Sequence, residues 1–209
     1  MVKINLKNRI IIIVGIIFIV LGIFINIIYK FESYIKEEKE RQKVINYIES
    51  TKGNTVIPTI SKIESSRANI SNKTTNYKLI LEIPKIKLKK GLYDIDNYMN
   101  DVKYNIQIIK ESNMPDIDKG VLILAGHNGN SKISYFNKID KLDVNDEIII
   151  YYNGIKYKYI VDNSYIIKKD GNVEIKRDKD KTTLVLTTCI SNTNKQLVYI
   201  SYLDSREGY

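Results

Sequence analysis

Residues 10–28 read IIIIVGIIFIVLGIFINII, nineteen consecutive positions in which Asn26 is the one polar side chain. A bilayer core takes about 20 apolar residues in a helix, so this run is long enough to span it. A buried core helix is seldom so uniformly aliphatic at the start of a chain. A cleaved signal sequence has a shorter apolar region with a small-x-small site after it. Here the run passes into Ile27-Ile28-Tyr29-Lys30-Phe31, which offers no such site. Residues 10–29 therefore read as an uncleaved signal anchor that crosses once. Lys3, Lys7 and Arg9 precede it, but Lys30, Lys36, Lys39, Arg41 and Lys43 follow. Counting of basic residues leaves the orientation open.

Residues 30–50 are highly charged, with Tyr34-Ile35, Val44-Ile45 and Ile48 at partly helical spacing, as in a stalk helix continuing from the membrane. Residues 51–76 turn Ser/Thr/Asn-rich, with Gly53 and Pro58 and no sustained period, and read as a linker. The compact domain is expected over residues 77–209. Leu79 to Ile83 reads as a strand stopped by Pro84, and Val121 to Ala125 as a buried central strand. Asn153-Gly154 between Glu147–Tyr152 and Ile155–Val161 is a strong hairpin signal. Further strands are expected at Tyr165–Ile167, Thr182–Thr187 and Leu197–Leu203, with short helices at Asn97–Tyr104 and Tyr135–Leu142. Many short strands rich in Tyr, Ile and Val imply an all-β barrel or sandwich.

The chain holds one Cys and one His. A disulfide framework, a CxxC pair, a cysteine-built zinc site and multi-histidine metal centres are thereby excluded. The net charge of +9 is spread thinly as lysine, with one local cluster from Lys85 to Lys90. Without an Arg-rich stripe or an aromatic RNA-binding motif, this reads as a solvated surface and not as a nucleic-acid interface.

The two single-copy residues share a setting. His127 follows the apolar strand in Leu122-Ile123-Leu124-Ala125-Gly126-His127-Asn128, and Cys189 ends another in Thr183-Leu184-Val185-Leu186-Thr187-Thr188-Cys189. A lone cysteine on a strand is usually an inert small hydrophobe. A nucleophilic cysteine needs a partner that lowers its thiol pKa or protonates the leaving group, most often histidine. The fold must bring the two together.

These segments resemble the sortase family. Leu186-Thr187-Thr188-Cys189 is similar to the end of its TLxTC signature strand, and Leu122 to Asn128 to its apolar strand leading into Gly-His-Asn. Ile83-Pro84-Lys85-Ile86 is similar to the family's opening Ile-Pro-x-Ile, and Ser112-Asn113-Met114-Pro115 with Gly120 to another recurring segment. Phe136, Leu142 and Asp146 fit the stretch before the hairpin. The resemblance covers residues 77–203, in order. It implies an eight-stranded β-barrel with short helices behind one N-terminal transmembrane helix, the class B or D types being nearest. Residues 1–9 would lie in the cytoplasm and the catalytic domain outside the cell membrane of a Gram-positive bacterium.

The resemblance further implies a cysteine transpeptidase. Cys189 would attack a carbonyl in an LPxTG-like sorting signal of a surface protein and form a thioester. His127 would act as general acid and base. An amine from a peptidoglycan precursor or a pilin lysine would then resolve the thioester. No cofactor is expected. Asp94, Asp96, Asp116 and Asp118 could bind calcium and tune a loop, but exposed turn residues are the default reading. No C-terminal span or Asp-Pro-rich lid segment precedes or follows the barrel motifs, which disfavours a pilus-polymerising type.

One position departs from the family, which carries an arginine at the start of the strand after the cysteine. Here that strand begins Asn194-Lys195-Gln196-Leu197, and the apolar pattern places Gln196 at the arginine position. An amide can donate an N–H to an oxyanion but brings no charge. Strand alternation points Lys195 to the other face. Arg177 stands before the cysteine strand, where it could fold over the site, and Arg206 stands in the terminal tail. Two rivals therefore remain beside the transpeptidase: a catalytically impaired surface-binding scaffold, and a thiol hydrolase that passes the acyl group to water.

Overall fold

The computed structural model describes residues 6–52, 77–171 and 173–209, so the expected linker lies almost wholly outside the described residues. The chain forms two compact units, residues 1–42 and 43–209. A single helix, α1 (Leu6–Thr51), carries the apolar run. Its apolar side chains stand open, Phe18 at 70 % exposure, as suits a surface that meets lipid. It contains Gly15 and Gly22 but no proline to break it. Past the apolar run, Glu38 accepts from Arg41 Nε (3.0 Å) and Gln42 Nε2 (2.9 Å), the one-turn pairing that supports an exposed helix.

In the second unit an eight-stranded sheet runs in the order β2-β1-β5-β6-β8-β7-β4-β3. The strands are β1 (Tyr77–Ile83), β2 (Leu88–Tyr93), β3 (Gln107–Ile108), β4 (Val121–Ala125), β5 (Glu147–Tyr152), β6 (Ile155–Lys168), β7 (Thr183–Ile190) and β8 (Lys195–Gly208). The edge strands β2 and β3 approach each other, so the sheet curls into a nearly closed barrel. All neighbours pair antiparallel except β4 and β7, which run parallel. The all-β barrel expected from sequence is the fold observed.

Period-two alternation sends Leu79, Leu81, Leu122, Leu124, Leu184, Leu186 and Tyr199 into the barrel core. The opposite faces of β4, β7 and β8 are apolar too. Ile123, Val185, Val198 and Ile200 form a second cluster outside the barrel, covered by Val173 and Ile175 of the β6–β7 connection. On the far side, Ile80 of β1 points outward and is buried with Tyr77 under Val44 and Tyr47 of the last turns of α1. Tyr47 Oη donates to the Lys78 carbonyl (2.7 Å), and the hydroxyls of Thr51 and Tyr209 share a hydrogen bond of 2.6 Å. The end of the helix expected as a charged stalk continuing from the membrane is thus part of the barrel's packing.

Asn153 and Gly154 take φ of 50° and 77°, the left-handed pair that a two-residue hairpin turn requires. Of the two expected short helices, one is absent and the other is shortened. At Asn97–Tyr104 the carboxamide of Asn97 and the carboxylate of Asp101 accept the backbone N–H of Met99 and Lys103, closing side-chain turns in place of a helix. Tyr135–Leu142 holds only a 3₁₀ turn, Ile139–Lys141. The segments expected as two strands, Ile155–Val161 and Tyr165–Ile167, are one strand with a bulge between Val161 and Asn163.

Candidate active site

The parallel β4–β7 pair sets the geometry. Ala125 pairs with Thr187 as the last register pair, and His127 and Cys189 each follow two residues further along their chains. Neighbouring strands lie about 4.8 Å apart, so the imidazole-bearing loop starts beside the thiol-bearing strand. Two bonds hold the approach: Gly126 N–H donates to the Thr187 carbonyl (3.1 Å), and Thr188 Oγ1 donates to the Gly126 carbonyl (2.7 Å). The His127 carbonyl in turn accepts from the Phe136 N–H (3.0 Å). Gly126 is glycine for want of room, because a Cβ there would stand 2.7 Å from the Phe136 ring.

Alternation along β7 puts Val185, Thr187 and Cys189 on the outer face, continuous with the outer apolar cluster. His127 and Cys189 are both half-buried, which leaves them partly open to a substrate. Directly across from Cys189 on β8 stands Gln196. Its Nε2 donates to Thr187 Oγ1 (2.9 Å), and Thr187 Oγ1 donates to the Leu197 carbonyl (3.2 Å). That chain orients the amide and leaves a second N–H on the same nitrogen. Lys195, paired with Ile190, falls on the other face of β8.

Neither barrel arginine reaches this end of the sheet. Arg177 donates to the carbonyls of Lys119 (3.2 Å) and Lys181 (3.1 Å) and to Thr183 Oγ1 (3.3 Å). Thr183 opens β7, six positions before Cys189, or roughly 20 Å at about 3.3 Å per residue. Arg177 therefore braces the far end of the strand instead of folding over the site. Arg206 lies within β8 opposite Tyr157, not in a loose tail. Asp94 bonds Lys78 (3.0 Å), whose ammonium holds its carboxyl below the usual range. Among the described residues no group of three or more His, Cys, Asp or Glu is placed to hold a metal ion.

The bonds from Thr188 to Gly126 and from Gln196 to Thr187 were not anticipated from sequence. Both join residues on different strands, and no local pattern announces them. The doublet Thr187-Thr188 beside the cysteine was the available signal, since hydroxyls at consecutive strand positions serve opposite faces.

The second unit is thus an eight-stranded barrel with one parallel pair, a histidine past the end of one of those strands and a cysteine near the end of the other. The sortase domain model matches residues 81–203. Sortase D of Bacillus subtilis (strain 168) is 26 % identical over 160 residues, covering 77 % of this chain and 75 % of that protein. A Clostridium perfringens sortase D5 transpeptidase superposes with a TM-score of 0.54 at 21 % identity, over 64 % of this chain and 82 % of that one. Sortase C-3 of Streptococcus pneumoniae superposes with a TM-score of 0.57 at 16 % identity, over 82 % and 84 %. The chain belongs to the sortase family. Family and fold together support a transpeptidase role acting on surface proteins, and the N-terminal apolar helix fits a membrane anchor.

Proposed function

We propose that this protein is a cysteine transpeptidase in which Cys189 and His127 carry the chemistry and Gln196 assists. The Cys189 thiolate attacks the carbonyl carbon of the scissile peptide in an LPxTG-like sorting signal. Collapse of the tetrahedral intermediate breaks the C–N bond, leaves a thioester on Sγ, and releases the C-terminal fragment as an amine that takes its proton from His127. An incoming cell-wall or pilin amine attacks the thioester, gives a proton to His127, and expels the thiolate with the surface protein joined in a new amide. The free N–H of Gln196 is offered to the oxyanion of both intermediates. No metal or organic cofactor enters these steps.

The observation supporting this reading is the parallel β4–β7 register, past whose last pair His127 and Cys189 each follow by two residues, with Gln196 across from the cysteine. Residues 10–29 serve as a single-pass anchor, with the N-terminus in the cytoplasm and the barrel outside a Gram-positive cell membrane. Incubation with an LPxTG-type peptide should add the acyl fragment to Cys189 by mass spectrometry, and an added amine should collect it. A Cys189→Ala variant with undiminished transfer sinks the proposal, and product that forms equally without amine assigns a hydrolase.

One observation favours a second reading, that of a binding scaffold with impaired chemistry: no barrel arginine lies near Cys189. A thiol-reactive sorting-peptide analogue separates the two. Labelling of Cys189 that excess peptide blocks supports the enzyme; a thiol inert to the probe supports the scaffold.

A further inference from the structure

The chain has two Asn-Gly dipeptides, Asn128-Gly129 and Asn153-Gly154, and the fold holds them differently. Asparagine is a thermolabile side chain, and the reaction behind that lability is a ring closure. The main-chain nitrogen of the next residue attacks the asparagine Cγ, most readily when that residue is glycine, which has no Cβ to crowd the approach. The nitrogen reaches Cγ only if the chain can turn about the asparagine Cα–C bond.

At Asn153-Gly154 that turn is blocked. The two residues hold φ of 50° and 77° in the hairpin that pairs Tyr152 with Ile155. The Gly154 carbonyl also accepts from the Tyr209 N–H (3.2 Å). Turning about the Asn153 Cα–C bond would open the end of the β5–β6 ladder.

Asn128-Gly129 follows His127 in a stretch that is neither helix nor strand. Among the described residues, no hydrogen bond uses the Gly129 N–H or the Asn128 carboxamide. Gly129 has φ of 142°, a conformation open to glycine, and a Cβ built there would meet only Ser134 Oγ, at 3.5 Å. Both residues are half-buried, so water reaches them. The bond from the Phe136 N–H to the His127 carbonyl (3.0 Å) closes the loop over residues 128–135 and leaves the dipeptide itself unpinned.

We propose that Asn128-Gly129 is a self-modification site, where the amide converts with age to aspartate or isoaspartate beside His127, while the hairpin turn protects Asn153-Gly154. The Gly129 nitrogen bonds to Asn128 Cγ and gives up its proton, the Cγ–Nδ2 bond breaks, and ammonia leaves with that proton. The product is a cyclic imide. Water, the one co-reactant, then opens the ring at either carbonyl. Cleavage between the nitrogen and Cγ leaves aspartate. Cleavage between the nitrogen and the main-chain carbonyl leaves isoaspartate, whose backbone runs through Cβ and Cγ. Both products put a new negative charge one residue from the imidazole. Isoaspartate also lengthens the loop that the His127–Phe136 bond closes, so the imidazole shifts.

The test ages the full chain, folded in detergent at mildly alkaline pH, and follows its peptides by mass spectrometry. Asn128 should lose ammonia and then show the mass of an amide-to-acid exchange, roughly tenfold or more ahead of Asn153, which must wait for its hairpin to open. In urea the two should convert alike; a difference that persists there belongs to the sequence and overturns the proposal. The chain has one histidine, so selective labelling gives one set of imidazole signals in NMR. A second set should grow in step with the conversion, and Asn128→Gln should show neither the mass change nor the second set. An Asn128 amide that outlasts or merely keeps pace with Asn153 in the folded chain overturns the proposal. Conversion that leaves the imidazole signals as they were overturns it too, because the change would then not bear on His127. Neither readout needs Cys189 to be acylated, so the result stands apart from the transpeptidase reading.

Discussion

Thr188 donates its hydroxyl to the carbonyl of Gly126 at 2.7 Å, and through that bond the residue before Cys189 is tied to the residue before His127. The donor is buried, so its loss strands a buried carbonyl. Thr188→Val keeps the shape and removes the hydroxyl, and it is expected to cost about 1–3 kcal/mol of stability in urea unfolding. If the tie positions the proposed Cys189–His127 pair, thioester formation should slow through kcat with KM little changed, and Thr188→Ser should restore it. A valine variant as fast as wild type would show that the register holds without the clasp.

Gln196 is held by Thr187 with one amide hydrogen to spare. If that hydrogen meets the oxyanion, Gln196→Ala should slow thioester formation by about 10²-fold, the scale for loss of one preorganised donor. Gln196→Glu presents an acceptor and a negative charge and should be slower still. Gln196→Arg restores a cationic donor and should stay within about tenfold of wild type. Stopped-flow acylation with a chromogenic peptide reads all three; an alanine variant at full rate excludes the role.

Alkaline pH should unfold this barrel early. Burial pushes the phenols of Tyr47, Tyr151, Tyr152, Tyr157 and Tyr159 up, and at Tyr151 the hydrogen bond to Glu82 adds to the effect. A phenol whose folded pKa is raised contributes stability that is complete below its unfolded value of about 10 and is lost as pH rises beyond it. The unfolded chain releases protons that the folded chain retains. Urea midpoints should therefore be flat from pH 7 to about 9.5 and fall steeply above it. A midpoint unchanged at about pH 11 contradicts the burial of these hydroxyls.

The last turns of α1 cover Ile80 and Tyr77. A chain beginning at Tyr77 exposes that face and loses the burial of Val44 and Tyr47, a deficit of about 3 kcal/mol by apolar area. It should melt well below a chain beginning at Lys43 and bind a hydrophobic dye. Equal melting temperatures would mean that the helix end contributes nothing to the barrel.

Local chemistry made much of the barrel legible. Asn153-Gly154 can hardly be anything but a tight hairpin, and Val121–Ala125 has the length and composition of a strand buried on both faces. The Asn97 and Asp101 turns defeated a helical reading because a short side chain can take the N–H that a helix would use. The join across Val161 and Asn163 was hidden since a bulge interrupts the alternation that marks a strand. Cys189 and His127 stood out by scarcity and context. Their alignment did not, because register is a property of two strands and neither sequence contains it alone. Arg177 was misplaced for the same reason: its carbonyl partners at Lys119 and Lys181 are assembled by the fold.

The parallel pairing of β4 with β7 has a bearing on when this protein first becomes reactive. The tie between Gly126 and Thr188 spans 62 residues. A parallel pair cannot close by a local hairpin and must wait for the chain between to be placed. Here that chain includes the whole β5–β6 hairpin and the cover over the outer cluster. A nascent chain that has released only its first strands holds an imidazole with no thiol opposite it. On the proposed function, acyl transfer would be withheld until the last two strands have docked, and the chemistry itself would report that folding is complete.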